Sequence, residues 1–164
     1  MNLLLEDLLT SLDKETDLYQ DLLQLLQKEK RALVDLSLDD LNECNKEKET
    51  LILQARALEE SRQYGLRKLA EFLDIPSDKL TLSYLSDRID EPYSKEVKSR
   101  RSNLLSLFHS IKDINKTNES LMNHSLDCVT GSLSLLGNLV STGSTYLHTG
   151  RLEHRTPEFV RGRV

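Results

Sequence analysis

The fold class is decided by the stretch at residues 2–36, which reads NLLLEDLLTSLDKETDLYQDLLQLLQKEKRALVDL. Apolar residues recur in this stretch at intervals of seven, with further leucines between them, as an amphipathic helix requires. The residues at intervals of seven are Leu5, Leu12, Tyr19, Leu26 and Leu33, and the leucines between them are Leu8, Leu9, Leu22, Leu23 and Leu36. The pattern predicts one long helix.

The composition of the whole chain extends this prediction to the rest of the fold. The 164 residues include 35 leucines but only 11 valines and isoleucines together, and there is no tryptophan. Leucine loses little rotamer freedom in a helix, whereas β-branched and aromatic residues favour strands. The composition therefore predicts an all-α protein and excludes a β-sandwich or β-barrel.

A second helix is predicted from residue 38 to about residue 74. Ser37 is suited to cap it, because Asp39 and Asp40 follow in the first turn, where the helix dipole favours negative charge. Its expected apolar stripe is Leu41, Cys44, Leu51, Ala55, Leu58, Leu66, Leu69 and Phe72, with Lys48 and Arg62 on the same stripe. Both helices would be ~50 Å long at 1.5 Å per residue, so they are expected to form an antiparallel hairpin.

Residues 75–92 are predicted to be a connector, and a third long helix is predicted from about residue 93 to residue 140. Pro76 would end the hairpin, Thr81 could cap a short helix from Leu82 to about Ile89, and Pro92 suits the start of the third helix. The expected stripe of the third helix is Val97, Leu104, Phe108, Ile111, Leu121 or Met122, Val129, Leu133, Leu136 and Val140. The predicted architecture is an elongated antiparallel three-helix bundle over residues 1–140, with a mobile tail over residues 141–164.

The second half of the third helix has an unusual composition. Residues 117–150 contain no Lys or Arg and two acids, whereas residues 2–40 contain 14 charged residues. Because interface centres are depleted of charge, this half is predicted to be the surface that binds a partner. The expected anchors are Met122, Leu126, Val129, Leu133, Leu136, Leu139 and Val140.

The helix lengths point to the same segment, although alternatives remain. The third helix would outrun the second by roughly nine residues, an overhang of ~13 Å. The overhang could also fray at Gly131 or Gly137, fold back onto the bundle, or pair with a second copy.

The net charge, the first residues and the cysteines limit the partners and the cellular location that we expect for the protein. A net charge of −5 gives no reason to expect nucleic acid as a partner. The first residues lack the pattern of a signal peptide, and no apolar run approaches the roughly 20 residues needed to span a bilayer. We therefore expect a cytoplasmic protein without membrane insertion, in which Cys44 and Cys128 are reduced core residues.

Catalytic and metal-binding patterns are weak. The four histidines have no carboxylate at a spacing that would orient them, and no phosphate-binding loop or nucleophile elbow occurs. His124 and Cys128 are four residues apart and could offer two zinc ligands, but a core cysteine beside an exposed histidine is the favoured interpretation. The basic cluster Lys95, Lys98, Arg100 and Arg101 is interrupted by Glu96. No enzyme, no cofactor and no metal site is predicted.

Three sets of residues resemble the motifs of one family, the FlgN-type flagellar export chaperones. The hairpin contains an ExxxL, KxxL and LxxxR pattern, the third helix contains a stretch similar to NxxNxxLL, and the tail contains YxxxG. The matching residues are Glu29, Leu33, Leu41, Lys48, Leu51, Leu58 and Arg62 in the hairpin, Asn115, Asn118, Leu121 and Met122 in the third helix, and Tyr146 and Gly150 in the tail.

The resemblance implies a chaperone that escorts hook-filament junction proteins to the type III export gate of the flagellum. It further implies a cargo that is the helical terminal segment of such a protein, no enzymatic activity and no cofactor. In the family, the segment that corresponds to Tyr146 and Gly150 is implicated in docking at the gate and its associated ATPase components. Such a chaperone would be a monomer or weak dimer. The alternative is a coiled-coil adaptor or self-assembling scaffold, in which the same leucines would pair between copies.

Overall fold

The computed structural model describes residues 1–76 and 79–141, with only the backbone described for residues 139–141. All of its regular elements are helices, so the predicted all-α class is confirmed for this part of the chain. The helices are α1 (Asn2–Asp35), α2 (Leu38–Phe72), α3 (Leu82–Ser86) and α4 (Tyr93–Ser141). The helix α4 includes Ser141, the first residue of the predicted tail, and the rest of that tail, residues 142–164, lies outside the described residues.

A two-residue turn joins α1 and α2. Leu36 ends α1 in the left-handed conformation with φ 54°, and its backbone N–H donates to the carbonyl of Ala32. Ser37 then caps α2 as predicted, because its hydroxyl accepts a hydrogen bond from the backbone N–H of Asp40 at 3.5 Å. Leu36 was expected among the apolar stripe residues, and this expectation is wrong: it is exposed, because it forms the turn rather than a face of the helix.

The ion pairs between α1 and α2 show that these helices are antiparallel. Glu15 pairs with Arg62, 47 residues away, whereas Glu29 pairs with Lys48, only 19 residues away. The sequence separation therefore shrinks towards the turn, as it must in a hairpin. The predicted hairpin is present, and each of its helices is 34 or 35 residues long.

The contacts of α4 with α1 join residues at a nearly constant separation in sequence. Tyr93 donates a hydrogen bond to Glu6, Arg100 donates to Asp13, and both pairs are 87 residues apart. The rings of Tyr19 and Phe108 also meet, with their centroids 4.6 Å apart. A nearly constant separation means that α4 runs parallel to α1.

The connector between α2 and α4 belongs to the core. Thr81 caps α3 as predicted, accepting a hydrogen bond from the backbone N–H of Tyr84 at 3.1 Å. Leu80, Leu85 and Ile89 are buried in a cluster that also contains side chains of α1, α2 and α4. The other members are Leu5, Leu8, Leu9, Leu12, Leu69, Ala70, Val97 and Leu104. Leucines from distant parts of the chain thus meet in one core.

Several members of the predicted apolar stripes are less buried than expected. Phe72 is exposed, because it is the last residue of α2 and the chain turns away at Asp74, which has φ 55°. Leu58 is only half-buried, and Phe108 is 44 % exposed despite its contact with Tyr19. Sequence periodicity identifies the face of a helix that points inward, but the depth of burial depends on which neighbours cover that face.

By its internal contacts the chain divides into two units, Met1–Leu121 and Met122–Val164. The described part of the second unit is the C-terminal portion of α4. This helix continues through Gly131 and Gly137 to Ser141, so it does not break at either glycine. It is 49 residues long, which makes it the longest helix in the described part of the chain. Within residues 1–76 and 79–141, no helix is long and apolar enough to cross a membrane.

Candidate binding surface

The described part of the second unit exposes large apolar side chains. We call this part, residues 122–138, the exposed α4 segment. Five of the seven predicted anchors have described side chains, and each of the five is between 42 % and 63 % exposed. These five are Met122, Leu126, Val129, Leu133 and Leu136. Their spacing of three or four residues places them along one face of the helix.

The other predicted anchors, Leu139 and Val140, lie in α4, but their side chains are outside the described set. One exposed leucine was not predicted as an anchor. Leu135 is 66 % exposed and, by its helical position, lies on the opposite face from Leu133. A count of leucines without regard to periodicity would have found it.

The exposed α4 segment also lacks charge. Its single ionisable acid is Asp127, and it contains no Lys or Arg. The remaining polar residues are mainly Ser, Thr and Asn, whose desolvation costs less than that of a charged group when a partner covers them. The segment therefore offers apolar contact area with a rim of neutral hydrogen-bonding groups, which suits the binding of an amphipathic helix.

The motif residues of the hairpin form buried ion pairs in the first unit. The carboxylate of Glu15 accepts a hydrogen bond from Arg62 at 2.9 Å, and Glu59 is the second partner of Arg62. Glu29 accepts from Lys48 at 2.5 Å. Both Glu15 and Glu29 are at most 3 % exposed, although neither was predicted to be buried. Their positions two heptads apart on the inward face of α1 were the signal that could have revealed them.

Asn118 completes the pair of Glu29 and Lys48. Its side-chain amide donates to the Leu26 carbonyl at 2.8 Å and to the second carboxylate oxygen of Glu29 at 2.9 Å. Three motif residues that are distant in sequence, Glu29, Lys48 and Asn118, thus meet in one polar layer. These residues join the three long helices of the first unit rather than forming an open site.

The protonation of these groups follows from their surroundings. Burial raises the pKa of Glu15, and the charge of Arg62 lowers it without cancelling that effect. Burial alone would also raise the pKa of Glu59, but hydrogen bonds from Arg62 and Gln63 hold it below the ordinary value. Arg62 thus links a buried carboxylate on α1, Glu15, to a partly exposed one on α2, Glu59.

The two cysteines have different environments. Cys44 is fully buried, as predicted, and burial raises the pKa of its thiol. Cys128 was also expected in the core, and this expectation is wrong: it is exposed on α4, where its sulfur lies 3.8 Å from Nε2 of His124. In the described ranges, no group of three or more His, Cys, Asp or Glu side chains could hold a metal ion.

Two residues of the basic cluster at the start of α4, Lys98 and Arg100, pair with acids of the same chain. Arg100 binds Asp13 through two nitrogens and also contacts Glu96, while Lys98 pairs with Asp87. The predicted docking residues Tyr146 and Gly150 lie outside the described residues.

The model of the FlgN protein family matches residues 1–154 of the chain. The chain belongs to the FlgN family. Proteins of this family are flagellar export chaperones rather than enzymes, and they bind flagellar hook-associated proteins. The matched range includes all of α4 as well as Tyr146 and Gly150. No curated protein and no solved structure matches the chain.

Proposed function

We propose that this FlgN-family protein binds the helical terminal segment of a hook-filament junction protein on its exposed α4 segment. The bound chaperone prevents premature assembly of its cargo and delivers the cargo to the export gate. The observation that carries the proposal is the coincidence of exposed leucines with an almost charge-free sequence in residues 122–138. The cargo would be covered in the cytoplasm, and no cofactor takes part.

The mode of binding follows from the spacing of the anchors. A partner helix laid along α4 would bury its own apolar side chains against Met122, Leu126, Val129, Leu133 and Leu136. Each Å² of apolar surface removed from water contributes about 25 cal/mol. In this proposal Leu139 and Val140 are further anchors, and the three long helices of the first unit form one antiparallel bundle.

Docking at the gate is assigned to a separate element, Tyr146 with Gly150. A tyrosine provides a large contact area with few rotatable bonds, which suits a short docking peptide. The support for this step is the position of both residues within the range matched by the family model. The gate and its ATPase components are then partners of the loaded chaperone, which acts as a monomer or weak dimer.

Replacing Leu133 and Leu136 together by Asp tests the cargo surface. Both side chains are more than half exposed, so the variant should keep its helical circular dichroism and its melting temperature. We expect the affinity for a purified junction protein, measured by titration calorimetry, to fall at least tenfold, which corresponds to about 1.4 kcal/mol.

Two controls separate apolar contact from the effect of added charge. The variant with Thr130→Asp and Ser134→Asp places two acids in the same segment without removing an anchor, and Leu53→Asp replaces a leucine of similar exposure on α2. Both controls should bind cargo within about threefold of the wild type. Equal losses in all three variants would contradict the proposal.

Tyr146→Ala tests the assignment of gate docking. Cargo affinity should stay within about threefold, or ~0.7 kcal/mol, whereas capture by the purified cytosolic domain of the gate should weaken. Loss of both activities would place Tyr146 in the cargo surface, and no effect on either would remove it from the proposed function.

The exposed leucines also favour a second candidate function, a self-assembling scaffold. Light scattering over a range of protein concentrations distinguishes the two. A chaperone should remain a monomer or weak dimer, whereas a scaffold should grow in mass as its concentration rises. Leu133→Asp with Leu136→Asp should abolish such growth if the leucines pair between copies.

A further inference from the structure

The polar layer of Glu29, Lys48 and Asn118 departs from the pattern of the helix interface around it. Asn118 is 2 % exposed and is the last buried residue of α4 in the first unit. The residues one and two heptads before it on α4 are Ile111 and Leu104, which are apolar. A buried amide thus takes the place where the preceding heptads carry an aliphatic side chain.

The hydrogen bonds of Asn118 are specific to one position along α1. Its amide nitrogen donates to the Leu26 carbonyl and to Glu29. Its Oδ1 is buried and accepts no hydrogen bond from the described residues, so the amide is tied to α1 through its nitrogen alone. The carboxylate of Glu29 in turn depends on Asn118 for one oxygen and on Lys48 for the other.

A displacement of α4 along α1 would break this arrangement without an equivalent replacement. A shift by one heptad in one direction would bring Asn118 to the level of Leu22, which offers no side-chain acceptor. A shift in the other direction would bring Ile111 opposite the carboxylate of Glu29. Buried polar groups that lose their partners disfavour such alternatives, and a single buried Asn is known to select register in helical assemblies.

Apolar contacts alone select register less strictly. Val97, Leu104 and Ile111 lie at heptad intervals on α4, so at these positions a shift of seven residues replaces one aliphatic side chain by another. The Arg100–Asp13 ion pair and the Tyr93–Glu6 hydrogen bond between α1 and α4 involve exposed carboxylates, where competition from water lowers their contribution.

We propose that Asn118 is the positioning residue that sets the register of α4 on α1, through the Leu26 carbonyl and the Glu29 carboxylate. The proposal concerns the alignment of two helices in the first unit and holds whether or not α4 binds cargo. In this proposal the polar layer determines which alignment of α4 on α1 is adopted, and it is not a main source of the stability of the fold.

Distance measurement by electron paramagnetic resonance tests this assignment in the full-length chain. Spin labels are attached to cysteines that replace Thr10 on α1 and Ser120 on α4, both of which are exposed, with Cys128→Ser to remove the exposed thiol. A shift of one heptad changes the axial separation of the labels by about 10 Å. The labelled protein with Asn118 intact should give a single distance.

Asn118→Leu should remain helical and should add a second population whose distance differs by about 10 Å. The control is Asn115→Leu, which makes the same replacement one turn earlier at an exposed position and should keep the single distance. If Asn118→Leu also keeps the single distance, the proposal is overturned, because the register is then set elsewhere.

A second variant covers the case in which Asn118→Leu fails to fold because Glu29 loses a partner. Glu29→Leu, Lys48→Leu and Asn118→Leu together make the layer entirely apolar. Two or more distances in this variant support the proposal, and a single distance overturns it. Loss of helical signal in both variants would also overturn it, because the layer would then be required for folding rather than for alignment.

Discussion

Leu26 and Leu133 are the same residue type in amphipathic helices, yet their environments are opposite. Leu26 is 2 % exposed in α1, whereas Leu133 is 63 % exposed in α4. Each has further leucines at spacings of three or four residues, so the apolar periodicity around them is similar. The difference shows that periodicity identifies a helix and its apolar face but does not show what covers that face.

The polar residues around each leucine differ between the two helices. α1 alternates its leucines with charged residues, which remain hydrated on its outer face. The exposed α4 segment has neutral polar residues instead, so little desolvation opposes covering the whole helix. Charge content therefore distinguishes a helix packed within its own fold from the exposed α4 segment, which we propose to be covered by a partner.

Replacing each of the two leucines by alanine gives the largest expected difference in the free energy of unfolding. Leu26→Ala should lower the free energy of unfolding by about 2 to 5 kcal/mol, because it leaves a cavity in a packed interface. Leu133→Ala should change it by less than ~0.5 kcal/mol, as is usual for surface substitutions. Urea denaturation of both variants provides the measurement.

Leu58→Ala is a useful intermediate. Leu58 is half-buried, so its truncation should cost less than that of Leu26. A large loss of stability from Leu133→Ala would break the comparison, since Leu133 would then belong to the core of the protein itself.

Two lysines of the hairpin allow the same comparison between a buried and an exposed site, because one pairs with a buried glutamate and the other with exposed glutamates. Lys48→Met removes the basic partner of buried Glu29 and should destabilise the protein by about 3 kcal/mol, the lower end of the range for breaking a buried pair, because Lys48 is partly exposed. Lys28 pairs with Glu43 and Glu47 on the surface, so Lys28→Met should cost much less stability than Lys48→Met.

Thermal and urea unfolding of the two lysine variants would measure this difference. Equal losses would mean that burial of Glu29 does not govern the energetics of its pair. A smaller loss in Glu29→Gln with Lys48→Met than in Lys48→Met alone would identify the unpaired carboxylate as the source of the cost.

The pH dependence of stability gives the smallest expected effect, and its sign depends on burial. The raised pKa of Glu15 means that the folded protein binds its proton more tightly than the unfolded chain does. This contribution to stability is present below the unfolded pKa and is lost as the pH rises through the folded pKa. Relative to Glu15→Gln, the wild type should therefore lose stability as the pH rises above the ordinary carboxyl value of 4.5 and through the raised pKa of Glu15.

Glu59 provides a control of opposite sign. Its pKa is lowered, so its contribution is present above the unfolded pKa and is lost as the pH falls. Relative to Glu59→Gln, the wild type should gain stability as the pH rises. Denaturation of the three proteins at several pH values would test both slopes, and slopes of the same sign would contradict the assigned environments.

Sequence patterns predicted much of the local structure, because local structure depends on near neighbours. The caps at Ser37 and Thr81 and the ends of the hairpin helices follow from residues within a few positions of each other. The wrong expectations concern burial. Cys128 lies on a helix with apolar neighbours, as Cys44 does, but its exposure depends on the absence of covering groups rather than on its own helix.

The candidate surface could be predicted because composition marks it, whereas the polar layers could not. The charge-poor run in α4 is visible in the sequence, and three of its exposed leucines, Leu126, Leu133 and Leu136, are among the predicted anchors, whereas Leu135 is not. The meeting of Glu29 with Asn118, 89 residues apart, depends on the alignment of two helices. No local pattern contains that distance.

The sequence by itself determined that this protein is helical, where its helices begin, and which segment is poor in charge. These properties arise from rotamer freedom, capping hydrogen bonds and amphipathic spacing, all of which act over one or two helical turns. The tertiary structure alone decided that the connector enters the core, which basic residues pair with Glu15 and Glu29, and that Asn118 meets Glu29. Those outcomes depend on packing between residues that are far apart in the chain, where the burial of one side chain is set by the shape and charge of others.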